Sequence, residues 1–228
     1  MTLDARLDDL RNDRAHGALD LALIGLDIAR DWRVAGRSLD ELADRLRGMH
    51  PSIATLANLA SAIDAGRDLD QLRRSLVDGN RRIAARLRRL IPPHQAIVTL
   101  SNSSTVRDAL PVLRPRLVVV LESLPGGEGK ALADAVKPLE VRLEPDAAMG
   151  KVAAEVDCAL VGVDSCDEAG NLIHKVGTLP LALCCRHAGK PFYAAGHSFK
   201  RTEHALEPPD DPLFDLTPHT LITALVTV

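Results

Sequence analysis

The stretch "AIVTLSNSSTVRDALPVLRPRLVVVL", residues 96–121, sets the fold. An apolar run, 96–100, meets four polar residues. A segment long enough for helical turns follows at 105–113, and then a second apolar run, 117–121. Apolar runs alternating with helical segments give the βαβ rhythm of a parallel sheet with crossover helices.

The rhythm continues to the end of the chain. Further apolar runs are "LEVRL" (139–143), "CALVGV" (158–163) and "PFYAA" (191–195). Helical segments are expected at 129–137, 146–156 and 177–188. The unbroken apolar character of 117–121 and 158–163 fits strands covered on both faces. The tail "LITALVTV" fits a final strand, or a last helix with an extended end.

Proline separates this half from what precedes it. Of the 14 prolines, only Pro51 falls in residues 1–91. Proline breaks helix interiors, so long helices belong to the first half. Leu19, Ala22, Leu23 and Leu26 follow a helical stripe, as do Ile53, Leu56, Ala57 and Ala60. Leu69, Leu72 and Leu76 form another, continued by Ile83, Leu87 and Leu90. Ser38 with Glu41 suggests a capping box, and Pro51 suits the first turn of a helix. The expectation is α/β: a bundle of about four helices in residues 1–91, then a Rossmann-like parallel sheet with crossover helices in 92–228.

Composition narrows the function. The 228 residues are 46% hydrophobic but only 2% aromatic, so the core must be aliphatic. A net charge of −3 gives no general reason to bind nucleic acid or acidic membranes. The cluster Arg81, Arg82, Arg86, Arg88 and Arg89 reads as a solvated helix face. No apolar run approaches the roughly 20 residues of a membrane span, and the mixed charges of residues 1–14 are unlike a signal peptide. Cys158, Cys166, Cys184 and Cys185 match no disulfide framework and read as reduced thiols of a cytoplasmic protein. No metal site is expected: Cys158 and Cys166 flank one strand, and Cys184 and Cys185 point to different faces of one helix. No GxSxG elbow suggests a serine hydrolase. No cofactor is implied.

Ligands of open parallel sheets bind beyond the carboxyl ends of the strands. After the first run come Ser101, Asn102, Ser103 and Ser104, residues that start helices and leave amides free for an anion. After the second come Gly126, Gly127 and Gly129, which let backbone approach a ligand closely. After the fourth comes Asp164, then a loop through His174 and Lys175. After the fifth come His197 and Lys200. Together these loops predict one pocket for a phosphorylated, hydroxyl-rich small molecule, with Asp164 able to act as acid or base.

"IVTLSNSSTV", "LPGGEG", "VGVDSCDEAGNLIHKVGT" and "KPFYAAGHSFK" resemble, in order, signature segments of the translation initiation factor 2B α/β/δ subunit family. That family includes the methylthioribose-1-phosphate and ribose-1,5-bisphosphate isomerases. "DRAHGALDLALIGL" and "HPSIATLANLASAI" resemble its helical-domain segments, and "FDLTPHTLITALVTV" its end. The resemblance implies a helical domain followed by a Rossmann-like domain, with a homodimer formed through the latter.

For the isomerases it implies a cysteine after the first strand and an aspartate after the fourth as the acid–base pair. Asp164 matches the aspartate, but Ser101 stands at the cysteine position. A hydroxyl is far less acidic than a thiol. Leu124 stands where the isomerases have a phosphate-binding arginine. His174-Lys175 stands for their Asn-Lys, and "RAHGA" (14–18) matches their arginine-glycine pair loosely. "GHSFK" is closer to the initiation factor branch. Three functions remain open: a binder of a phosphorylated sugar or nucleotide without the classical pair, an aldose–ketose isomerase on a pentose 1-phosphate or 1,5-bisphosphate, and a protein-interaction subunit.

Overall fold

The computed structural model describes residues 1–13 and 16–228. Arg14 and Ala15, within the "RAHGA" match, lie outside the described residues. The helices of the first half are α1 (Leu3–Asn12), α2 (Ala18–Val34), α3 (Leu39–Arg47), α4 (Ala54–Asp64) and α5 (Leu69–Leu90). Five described helices thus stand where about four were expected. α2 and α5 run to 17 and 22 residues, whereas the helices after the proline-rich boundary do not exceed 10.

The helical core gathers Leu21, Ile28, Leu42, Leu56 and Leu72 around Trp32, the sole tryptophan, which is fully buried. The Trp32 indole N–H donates to the carbonyl of Ser38 at 2.9 Å, which meets the hydrogen-bond demand of the buried ring.

Two local readings are corrected. Ser38 does start α3, but its hydroxyl accepts from the Asp40 amide, and Glu41 pairs with Arg37 instead of closing a capping box. Pro51 lies in a turn, and α4 begins only at Ala54. The start of α4 has a tertiary cap: the Ala54 amide donates to the Ser165 hydroxyl at 2.9 Å, and that hydroxyl donates to Ser52 O at 2.9 Å.

The second half runs β1 (Ala96–Thr99), α6 (Ser104–Leu113), β2 (Leu117–Leu121), α7 (Glu128–Ala135), β3 (Val141–Glu144), α8 (Met149–Glu155) and β4 (Cys158–Val161). Then come β5 (Ser165–Cys166), β6 (Leu172–Lys175), α9 (Thr178–His187), β7 (Phe192–Gly196), β8 (Phe214–Thr217) and β9 (Ala224–Thr227). Six strands pair in the order β3-β2-β1-β4-β7-β9, all parallel. The tail is therefore a strand.

Side chains alternate across this sheet. Val119 and Leu121 pack on one face with α8 and α9, while Val118 and Val120 pack on the other with α6 and α7. Burial on both faces is why the strands read as continuous apolar runs. Ile83, Ala84 and Leu87 of α5 join that second face, so α5 serves both the helical core and the sheet.

The segment after Asp164 is not a loop. β5 and β6 form a hairpin, and β8 adds a third antiparallel strand. His174 and Lys175 are buried in β6 although polar, and that masked the strand in the sequence. The arginine cluster on α5 is exposed, and Arg86 donates to Thr227 O at 2.5 Å.

Candidate functional site

Strand order reverses between β1 and β4: β2 and β3 lie on one side, β7 and β9 on the other. Such a switch point opens a crevice at the carboxyl ends of the strands. A cavity of about 580 Å³ lies there. Its wall includes residues 101–104 after β1, Asp164 after β4, residues 173–175 and Lys200. Asp13, residues 16–18 and 50–53 close it from the helical half, and much of segment 205–214 covers the remaining side.

The sequence picked out Ser101, Asn102, Ser103, Ser104, Asp164, His174, Lys175 and Lys200, and all of them border this cavity. Gly126, Gly127 and Gly129 are not among its lining residues. Gly129 serves packing: a Cβ there would lie 1.9 Å from the Leu121 carbonyl oxygen. Gly127 holds φ at +74° to start α7. Glu128, between them, does reach the cavity. His197 does not line it, and its ring is buried against Gly79 of α5.

The loop after β1 is held by paired backbone geometry. Ser101 and Ser123 both adopt left-handed φ, +63° and +65°, a conformation that non-glycine residues keep only when their surroundings hold it. The Ser101 amide donates to Ser123 Oγ at 2.6 Å, and Ser123 Oγ donates to Leu121 O at 3.0 Å. The amides of Ser123 and Leu124 donate to the Asp146 carboxylate at 2.9 and 2.7 Å. Ser101 is thus fixed at the mouth of β1, directly before α6. No side chain caps α6 at Ser103, so its positive end opens on the cavity.

Two lysines line the same cavity. Lys175 Nζ donates to Glu128 Oε1 at 2.9 Å and is only 5% exposed. Lys200 is 4% exposed, and its side-chain amine makes no hydrogen bond or ion pair among the described residues. Burial pushes its pKa down, and the nearby Asp164 carboxylate pulls it partly back. Gly196 leaves room for the lysine stem, since a Cβ there would sit 3.1 Å from Lys200 Cδ. The Glu128 Oε2 and Asn102 Oδ1 atoms are buried without a partner among the described residues.

His174 is held neutral. Burial pushes its pKa down to about 4, against the pull of Asp164. Thr178 Oγ1 donates its one proton to Lys175 O at 2.6 Å. At 3.1 Å from His174 Nδ1 it can therefore only accept, so Nδ1 carries the proton and Nε2 is bare. Nε2 and Ser103 Oγ crowd one point: a Cβ on Gly162 would lie 2.8 Å from the first and 2.5 Å from the second.

Other polar groups have structural work. Asp215 accepts from the amides of Gly177 and Leu179 and caps α9. Asp167 accepts from Leu206 at 3.2 Å and anchors the covering segment. Cys158, Cys166 and Cys185 are buried, and burial raises their thiol pKa values to about 12, 11 and 12. Among the described residues no group of three or more His, Cys, Asp or Glu side chains could hold a metal ion, and no helix is long and apolar enough to cross a membrane.

Residues 50–53 and 205–214 carry no local signal of a site, and Asp13 and residues 16–18 lie in or beside the loose "RAHGA" match. Glu128 lies in the glycine loop, where its neighbouring glycines are the stronger local signal.

Comparison with known proteins agrees with this architecture. The sequence model of the Initiation factor 2 subunit family matches residues 36–208. A putative translation initiation factor eIF-2B subunit 2-like protein of Pyrococcus abyssi is 30% identical over 97% of this chain and 92% of its own length. A methylthioribose-1-phosphate isomerase of Desulforudis audaxviator is 27% identical over 93% of this chain and 78% of its own. The solved structure of translation initiation factor eIF-2B from Pyrococcus horikoshii OT3 superposes with a TM-score of 0.83 at 27% identity, over 98% of this chain and 94% of that one. With a parallel sheet that switches between β1 and β4, and a family match over most of its length, this chain belongs to the initiation factor 2 subunit family.

Proposed function

We propose that this protein binds a phosphorylated sugar or nucleotide in the cavity between β1 and β4, without the classical cysteine–aspartate isomerase pair. The observation that carries the reading is Lys200, buried, with no hydrogen bond or ion pair on its amine among the described residues, in the cavity that the uncapped start of α6 also lines. A buried amine without a hydrogen-bonded partner is costly, and an anionic group on the ligand supplies one. The helix start supplies amide donors to the same group.

Ser101 at the cysteine position supports the non-catalytic half of the reading, because its hydroxyl is a poor proton donor. Asp164 would then serve as a ligand contact. The family likeness also supports a homodimer joined through the sheet half, residues 92–228, with residues 1–91 as the helical half. An aldose–ketose isomerase is the second reading, favoured by Asp164 and Ser101 lining one cavity.

Thermal shift and calorimetry with D-ribose 5-phosphate, AMP and ribose 1,5-bisphosphate test the proposal, followed by an assay for aldose–ketose conversion. Stabilisation without turnover is expected. Turnover that vanishes in Asp164→Asn would establish the isomerase instead, and no stabilisation by any phosphorylated probe would sink both readings.

A further inference from the structure

We infer that the outer edge of β9, with Arg86 and Arg89 of α5 beside it, is a docking surface for an extended peptide that alternates carboxylate and aliphatic side chains. The surface lies outside the cavity between β1 and β4, and the two share no lining residue. Three observations converge. β9 pairs with β7 alone, so its other edge is open among the described residues. A groove of about 350 Å³ is lined by Arg86, Arg89, Leu90, Leu225, Val226 and Thr227, and by no residue of β7. No carboxylate lines it, while Arg82, Arg86 and Arg89 follow one another along one face of α5 at i, i+4 and i+7, all exposed.

Each observation narrows the partner. An open strand edge presents amides and carbonyls that an added strand satisfies. Side chains alternate across a strand: Val226 packs with α5 and α6 on one face of the sheet, and Leu225 packs on the other. A strand laid beside β9 carries that alternation outward. Its side chains on the α5 face meet guanidinium groups, whose fork fits a carboxylate. Those on the other face lie beside Leu225 and suit aliphatic groups. Arg89 makes no hydrogen bond or ion pair among the described residues, so its guanidinium is available. Arg86 donates to Thr227 O and keeps its remaining donors. Like charge turns away the same face of a second copy. Three of the six lining residues are aliphatic and none is aromatic, so the groove has no stacking platform for single-stranded RNA.

Fluorescence anisotropy on the full chain tests the inference. The probe is a fluorescein-labelled octapeptide of alternating glutamate and valine. It is expected to bind at least about tenfold tighter than the same peptide with lysine for glutamate, or with its backbone amides N-methylated. Its binding should weaken as salt rises. Arg89→Glu is expected to weaken the glutamate peptide about tenfold and to strengthen the lysine peptide. No binding of the glutamate peptide, or equal binding of either control, overturns the inference. Tighter binding of an oligouridylate, with no preference among the peptides, assigns the arginines to RNA phosphates and overturns it too. Each of these failures leaves the cavity reading standing.

A measurement on the unaltered chain guards against misfolding of the variant. Amide hydrogen exchange across residues 224–227 should slow on adding the glutamate peptide and keep its rate on adding the lysine peptide. Unchanged exchange along β9 would overturn the inference even where anisotropy records binding, because contacts to arginine alone leave the strand edge open.

Discussion

The imidazole of His197 rests on the bare Cα of Gly79: a Cβ there would stand 2.0 Å from Cε1 and 2.4 Å from Nδ1 of the ring. The ring reaches past Gly79 to Asn80, whose Oδ1 lies 2.9 Å from Nε2. Thr105 Oγ1 donates to the same oxygen at 3.0 Å, and Asn80 Nδ2 donates to Asp108 at 2.7 Å. α5, α6 and the end of β7 are thereby tied at one point.

Gly79→Ala is therefore expected to destabilise the protein. A helix-interior alanine gains roughly 0.5–1 kcal/mol over glycine, but overpacking costs about 1–3 kcal/mol or more. Overlap at 2.0 Å puts the balance on the side of loss. Gly150→Ala in α8 is the control, because a Cβ there meets nothing within 4 Å. Urea midpoints should fall for the first and hold or rise for the second; a Gly79→Ala protein as stable as wild type would show that the ring has room.

Stability should fall in mild acid. Burial pushes both His174 and His197 down to about 4 from an ordinary 6.5. Below 6.5 the unfolded chain takes up protons that the folded one refuses. The stabilisation each histidine gives is whole above pH 6.5 and lost as pH falls toward 4. It is on the order of 3 kcal/mol per ring. Urea midpoints should be level from pH 7 to 8 and decline below 6.5. His197→Gln should make the decline shallower, and an unchanged slope would rule out its role.

Lys200→Met should separate stability from binding. It removes a buried amine that has no partner among the described residues and leaves an apolar stem of similar length. The apparent melting temperature should rise, by an amount on the order of 1 kcal/mol in stability. The shift produced by D-ribose 5-phosphate should disappear. A variant that still responds to the ligand would remove Lys200 from the site.

Thiol titration with Ellman's reagent should show one fast group in the native protein and four after denaturation. Cys184 is partly exposed, whereas Cys158, Cys166 and Cys185 are buried and their thiolates disfavoured. Cys184→Ser should abolish the fast phase; its survival would mean that a buried thiol opens to solvent.

The parallel sheet was legible in the sequence because Val118 and Val119, facing opposite sides, are both buried. Two-sided burial prints an apolar run. The hairpin of β5 and β6 was not legible, since Lys175 and His174 are polar and their burial depends on Glu128 and Thr178, distant or out of pattern. Ser101 and Asp164 could be placed at one sheet edge because each follows an apolar run, at the carboxyl end of a strand. The opposing wall could not, because residues 50–53 and 205–214 reach the cavity only through tertiary packing. Glycine misled: Gly129 answers to the Leu121 carbonyl and not to a ligand.

The Ser165 hydroxyl has a consequence for biosynthesis. It closes the start of α4 with a partner 111 positions further along the chain. At about 5–20 residues per second of synthesis, the Ala54 amide waits roughly 5–20 seconds for it. During that interval α4 can form on its own helical core, but its first turn stays open to water. The helix cap and the finished cavity wall therefore both wait on the later half of the chain, and a nascent chain halted before Ser165 carries neither.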